Sequence, residues 1–268
     1  MKKLVIIFVT VFTVNSPWAQ IPQKVVQDLK LDIDPKIRSY TERIRGLNMD
    51  MVYVEGGSYT MGCLTERDGE CKDDELPSHD EKVESFYISG TEVTQAQWAV
   101  IMSGDRPSFF KNCNDCPVEY VSWDDVQEFI EKLNSLTGLN YRLPTSVEWE
   151  YAARGGQHSR GYKYSGSNEI GDVAWYDDNA GSKTHAVGTL KPNELGLYDM
   201  CGNVYEWCSN NSSKDYSSPK NLNLIEVRGG SWYNYINYCR IAYCYYSFRL
   251  LWHTNIGFRL CRNYSYSK

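Results

Sequence analysis

Three rhythms of apolar and polar positions run along this 268-residue chain. The first is a short apolar run over residues 4–14, preceded by Lys2-Lys3 and followed by Pro17-Trp18-Ala19-Gln20. A basic start, a short apolar stretch and a small residue at the break predict a signal peptide over 1–19, cleaved after Ala19. The run is too short to span a bilayer, and no cysteine precedes Cys63 to take a bacterial lipid anchor. The expectation is an exported protein: periplasmic, cell-surface or secreted. The second rhythm is helical. Residues 20–48 form a charged lead in which Val25, Leu29, Ile33, Ile37 and Ile44 are spaced for one or two short helices, an arm or linker ahead of the main domain.

From Met51 the pattern changes to short strands punctuated by turns. Residues 52–57 read as a strand running into Gly56-Gly57, and residues 83–89 as another strand. Three capping boxes open three helices: Thr94 with Gln97, Ser122 with Asp125, and Thr145 with Glu148. Trp98 and Ile101 share a face of the first. Val126, Phe129, Ile130 and Leu133 line the second, which Gly138 stops. Gly155-Gly156 ends the third. Beyond it the chain is rich in Gly, Asn, Asp and Tyr and poor in long periodic segments, so a loop-rich region is expected, held by scattered rings.

The third rhythm is the loss of one. Between Arg228-Gly229-Gly230-Ser231-Trp232 and Ile256-Gly257-Phe258-Arg259-Leu260 lies a stretch, residues 233–255, crowded with Tyr and Asn and free of acid, Lys, Gln, Met and Gly. The run Tyr243-Cys244-Tyr245-Tyr246-Ser247-Phe248 keeps no inside/outside alternation. Burying so many phenols would demand a partner for each hydroxyl. Tyr gives a large amphipathic contact with only two rotatable bonds, and Asn adds adaptable hydrogen bonds. The stretch therefore reads as a recognition surface rather than the core of a terminal hairpin.

Composition narrows the partners. With 28 basic against 34 acidic residues, net −6, there is no basic field to hold phosphates, and nucleic acid is not expected as a partner. Nine cysteines in an exported chain point to disulfides, with at least one thiol left over. Cys113-x-x-Cys116 lacks a thioredoxin-like surrounding and reads as a local bridge. His79, His158, His185 and His253 are scattered, with no metal-ligand spacing.

The motifs MVYVEGGSYTMG at 51–62, EVTQAQW at 92–98, PVEYVSW at 117–123, YRLPTSVEWEYAARGG at 141–156, GLYDMCGNVYEW at 196–207, and the RGGSW and GFRL frame at 228–232 and 257–260 resemble the formylglycine-generating enzyme (sulfatase-modifying factor) family over about residues 49–263. The resemblance implies an α+β, C-type-lectin-like fold of that family's type, loop-rich and low in regular secondary structure. The family's enzymes oxidise a substrate cysteine with copper on two cysteines that have four residues between them. Here the later position is Cys239 and the earlier is Asn234, whose amide cannot act as a soft thiolate ligand. Catalysis is therefore not expected from that pair, and an atypical cysteine-oxidising site at Cys239, with Cys244 nearby, stays as the alternative. The resemblance also implies a structural calcium ion on Asp199, Glu206 and the carbonyls of Gly202 and Val204, oxygen donors suited to a hard cation.

The C-terminal frame further resembles the variable proteins of diversity-generating retroelements, in which template adenines are randomised so that Asn codons yield Tyr, Ser, Ile, Cys, Phe, Arg and others. From residue 233 to 255 only Trp252 falls outside that set. The expected ligand-binding residues are Trp232, Tyr233, Asn234, Tyr235, Asn237, Tyr238, Tyr243, Tyr245, Tyr246, Phe248, Arg249, Trp252 and His253. Arg228, Gly229, Gly230, Arg259 and the Trp207 region are expected as their scaffold. The ligand is expected to be a protein or glycan. A structural envelope component is the remaining alternative.

Overall fold

The fold is given by a computed structural model that describes residues 39–44, 47–209 and 223–264. The signal peptide expected over 1–19 and residues 20–38 of the arm expected over 20–48 lie outside these residues. Where the arm enters the described chain it is strand, which corrects the helical expectation. Tyr40–Ile44 (β1) pairs antiparallel with Leu47–Val54 (β2), Ile44 opposite Leu47. The Tyr40 ring meets the Tyr87 ring edge-on at 5.1 Å. Pairing with a neighbouring strand overrides the helical spacing at Ile44, because a helical pattern this short has no strong preference of its own.

β1 is the edge of a five-stranded antiparallel sheet whose order is β1-β2-β5-β13-β6. The remaining strands of that sheet are Phe86–Ser89 (β5), Tyr141–Arg142 (β6) and Cys261–Asn263 (β13). A ribbon of Gly57–Met61 (β3) and His79–Val83 (β4) precedes β5. The single strand expected over 83–89 is thus two strands. The break falls at Ser85, whose hydroxyl takes the Gly56 N–H and the Tyr53 phenol, each at 3.0 Å.

All three capping boxes form. Thr94, Ser122 and Thr145 accept the N–H three residues on, and Gln97, Asp125 and Glu148 reach back to the cap N–H. They follow the short α1 (Thr65–Asp68) and open α2 (Gln95–Ile101), α3 (Trp123–Thr137) and α4 (Ser146–Ala153). Gly138 stops α3 in the left-handed region at φ 68°. Val126, Phe129, Ile130 and Leu133 are buried on its inner face, as their spacing predicts. There Phe129 stacks on Trp98 of α2 at 5.2 Å, with Phe258 against both rings. A second apolar cluster gathers Trp149, Tyr151, Phe86, Ile88 and Leu197.

Past α4 the regular elements are short, as expected. Ala174–Trp175 (β7) pairs parallel with Cys201–Gly202 (β8). A second sheet, order β11-β10-β9-β12, contains Tyr205–Trp207 (β9), Leu224–Arg228 (β10), Cys244–Phe248 (β11) and Ile256–Gly257 (β12). Disulfides join Cys63 to Cys71 and Cys113 to Cys116. The thiols of Cys201, Cys208, Cys239, Cys244 and Cys261 are unbridged and buried. No helix among the described residues is long and apolar enough to cross a membrane.

Candidate recognition face and buried charge sites

The segment after β10 leaves the second sheet through two glycines with positive φ, Gly229 at 96° and Gly230 at 74°. Gly229 lies against the Trp149 ring, and Gly230 lies on Cys239 and the Tyr238 carbonyl. Ser231 then ties the start of the segment to its end. Its hydroxyl donates to the Asn234 side-chain oxygen and accepts from Asn255 Nδ2 at 3.2 Å. The indole of Trp232 donates to the Thr254 carbonyl at 3.1 Å. Midway, buried Arg240 forms a two-pronged pair with Glu75, at 2.6 and 3.0 Å, and donates to the Asn237 carbonyl. Arg249 donates to Asp124 at 2.9 Å and the Trp252 indole to Asp125 at 2.8 Å, which fastens the last turn to the start of α3. The segment is thus pinned at both ends and in the middle.

Between these pins the rings face outward. Twelve large hydrophobic side chains are exposed among the described residues, and eight of them, Tyr233, Tyr235, Ile236, Tyr245, Phe248, Leu250, Leu251 and Trp252, fall in this segment. Monomeric proteins seldom display apolar groups in such concentration without a use for them. Asn237 is also exposed, while Trp232, Asn234, Tyr238, Tyr246, Arg249 and His253 are half-buried. Tyr243 is the correction. At 7% exposure it belongs to the core with Trp207 and Val227, because the chain enters β11 there and turns the ring inward. Lys72 lies over the Tyr243 and Tyr238 rings, at 4.6 and 3.9 Å, which closes that side off.

Residues outside the segment extend the face, and the sequence reading missed them. Phe109, 61% exposed, meets Phe110 edge-on at 5.2 Å; Phe110 meets Trp232 at 5.3 Å, and Trp232 meets Tyr233 at 5.4 Å. Phe110 is gripped at both backbone groups: its N–H donates to Glu119 Oε1 at 3.0 Å, and its carbonyl accepts from Gln95 Nε2 at 2.9 Å. No local pattern in the sequence marks this loop as a neighbour of Trp232.

Glu119 is completely buried, and its Oε2 has no hydrogen-bond partner. Burial pushes its carboxyl up to about 7, against the pull of the Phe110 and Phe109 N–H groups and Lys111. A raised carboxyl holds its proton more tightly in the folded state. The stability of neutral Glu119 is therefore present below about pH 4.5 and lost as pH rises through about 7. Glu119→Gln removes that loss. In urea titrations the variant gains on the order of 2 kcal/mol relative to the parent chain between pH 5 and pH 8.

The scaffold residues are buried as expected. Arg228 bridges Glu150 at 3.1 Å and Glu226 at 2.8 Å, and Trp207 donates to the Val121 carbonyl at 3.1 Å. Arg259 forms a two-pronged pair with Glu206, both bonds 2.7 Å, and the Trp149 indole adds a third bond to that carboxylate at 2.6 Å.

That arrangement bears on calcium. Both Glu206 oxygens are engaged, whereas Asp199 Oδ1 and Glu92 Oε1 are buried without a partner. Burial pushes Asp199 up to about 6, and burial with the Asp199 and Glu206 charges pushes Glu92 well up. Three carboxylates thus share one guanidinium, and two bare oxygens suit a hard cation. Copper on two thiolates does not fit these residues. Asn234 holds the earlier position with its side-chain oxygen on Ser231, and Cys239 is sealed beneath Gly230 with its thiol pushed up by burial. Cys244 is buried on β11 opposite Arg228.

Comparison with known proteins agrees with this architecture. The profile of the sulfatase-modifying factor enzyme 1-like domain matches residues 38–264. A Paenibacillus barcinonensis protein named chaperone protein LppX is 36% identical over 244 positions, covering 72% of this chain and 82% of that protein. The formylglycine-generating enzyme of Thermomonospora curvata is 30% identical over 161 positions, 50% of this chain and 48% of the enzyme. Among solved structures, Treponema denticola variable protein 1 superposes with a TM-score of 0.73 at 27% identity, covering 85% of this chain and 99% of that one. The fold is therefore the α+β, loop-rich fold of formylglycine-generating enzymes, and the C-terminal frame keeps its likeness to a variable protein.

Proposed function

This chain belongs to the sulfatase-modifying factor enzyme 1-like domain family, and on that premise we propose that it is an exported, receptor- or adhesin-like ligand-binding protein whose segment 233–255 is a diversified recognition surface. The observation that carries the reading is the concentration of exposed rings between two pinned ends. Rigid display lowers the entropy lost on binding, and exposed aromatic anchors are what interfaces use most. The likeness to a variable protein supports it. So does the loss of the earlier thiol at Asn234, which leaves the family's enzymatic site without one of its two ligands.

Deep sequencing of the gene's last part across a population grown from many cells tests this reading. Substitutions concentrated in codons 233–255, following adenines of a nearby near-copy, are expected. An invariant segment would sink the diversified reading and return the weight to chemistry at Cys239, measured as copper-dependent oxygen consumption with a cysteine peptide.

Within the same reading a structural calcium ion is held at Asp199 and Glu92, with the Gly202 and Val204 carbonyls, while Glu206 acts behind it through Arg259. Removing the ion with a chelator is expected to lower Tm by roughly 5–10 °C, and Asp199→Asn to abolish the difference. Equal Tm with and without calcium would refute the site.

A further inference from the structure

The two most exposed rings of the segment, Tyr233 and Tyr235, each 66% exposed, flank Asn234. The Asn234 carbonyl accepts the N–H of Asp177 at 3.1 Å, which sets the exposed pair Asp177-Asp178 beside those rings. The pair stands in a fixed turn. Ala180 N–H closes on the Tyr176 carbonyl at 2.8 Å, the Asn179 side chain bonds Tyr176 N–H and the Ala174 carbonyl, and Trp175 stacks on His185 at 3.8 Å. Backbone that does not need a ligand to order it therefore holds Asp177 and Asp178 next to Asn234 and its two flanking tyrosines, with Asp178 also against the Tyr176 phenol.

The segment brings no competing positive charge to that corner. Arg240 is buried on Glu75, Arg249 is held on Asp124, and burial lowers the pKa of His253. Ring faces attract cations, most strongly where part of the water is displaced, and Lys72 over Tyr238 and Tyr243 is an instance within the same segment. The net charge of −6 adds attraction at longer range. The complement of such a corner is a positive charge on an apolar stem, which is what Lys and Arg side chains are. A small free cation would cover only this corner. The segment exposes Tyr245, Phe248 and Trp252 as well, and a chain of ring contacts runs from Tyr233 through Trp232 and Phe110 to exposed Phe109, which suits a larger partner.

We propose that the partner is a protein that lays a basic segment across Tyr233 and Tyr235, its Lys or Arg head groups facing Asp177 and Asp178. The proposal rests on the reading of residues 233–255 as a recognition surface and names the chemistry of what that surface receives.

The test is fluorescence anisotropy of the full chain with two labelled peptides, one alternating Arg and Gly and the other alternating Glu and Gly, at low and at high salt. The Arg peptide is expected to bind about tenfold or more tightly than the Glu peptide. Tyr233→Ala with Tyr235→Ala should weaken it about tenfold, and Asp177→Asn with Asp178→Asn about threefold, with a shallower salt dependence. Glu84→Gln, at an exposed site on another part of the surface, should change nothing. Equal binding of the two peptides overturns the proposal. So does an Arg peptide that is indifferent to the tyrosines, or one that loses as much from Glu84→Gln as from the aspartate pair, since either is attraction to net charge alone. Failure here beside a diversified gene segment removes only the basic partner. An invariant gene segment beside specific Arg-peptide binding removes only the diversification.

Discussion

Replacing Arg259 by methionine lowers the unfolding free energy by about 3–5 kcal/mol, read as a fall in the urea midpoint at unchanged slope. The guanidinium donates two bonds to Glu206, one to the Ser89 carbonyl at 3.1 Å and one to the Tyr198 carbonyl at 2.8 Å. Methionine fills much of the volume but leaves the Glu206 carboxylate buried, retaining only the Trp149 indole. It also removes the guanidinium charge that favours the ionised forms of Glu92 and Asp199. Adding Glu206→Gln to Arg259→Met should recover part of the loss, because the bare charge is then gone. A double variant as unstable as the sum of the two single ones would mean that the side chains act independently.

The second large effect is expected from Gly230→Ala. A Cβ there would lie 2.6 Å from Cys239 Sγ, 2.8 Å from the Tyr238 carbonyl oxygen and 2.9 Å from Cys239 Cα, at φ 74°. Two of those three atoms are backbone, so no rotamer change relieves the contact. A cost of about 2–4 kcal/mol follows from the left-handed conformation and the overpacking together. Gly104→Ala is the control. It also has positive φ, 94°, but nothing lies within 4 Å of its Cβ, so about 1–2 kcal/mol is expected. The Gly230 variant should also lose recognition, since the Tyr233-Asn234-Tyr235 corner is hung directly from that turn. If the two alanine variants cost the same, Gly230 serves backbone conformation alone and not the close approach to Cys239.

Local chemistry was readable along the chain. Each capping box spans four residues and forms, because side chain and backbone N–H meet within one helical turn whatever surrounds them. The apolar stripe of α3 reads directly for the same reason, and so does the Cys113–Cys116 bridge, whose ends are three residues apart. Where the reading failed, the deciding contact was remote. β1 is strand because of its pairing with β2 and the Tyr87 ring, not because of its own spacing. The strand expected over 83–89 breaks where Ser85 meets Gly56, 29 residues away.

Segment 233–255 divides the same way. Its content, many Tyr and Asn and no acid or Lys, is a property of composition, and so is its framing by Gly229-Gly230 and Gly257. Which rings face outward was not legible. Tyr243 lies just before β11, packed edge-on against Tyr238 under Lys72 and buried, whereas Tyr245 stands on β11 opposite Val227 and is exposed. Phe109 joins the face through Phe110 and Trp232, and Asp177 through Asn234. The residues expected to hold calcium show the limit most plainly. Asp199 and Glu206 are seven positions apart in one motif, yet Arg259 from 53 residues beyond claims Glu206, while Glu92, 107 positions before Asp199, is a buried carboxyl that feels the Asp199 charge and also keeps a bare oxygen. By itself the sequence determined the family, the three capped helices, the Cys113–Cys116 clip and the limits of the Tyr- and Asn-rich segment, since these rest on motifs, on interactions between near neighbours or on residue content. Only the tertiary structure decided which rings are offered, which carboxylates are satisfied and what charge surrounds them, because burial and pairing across the fold are set by contacts that no local pattern encodes.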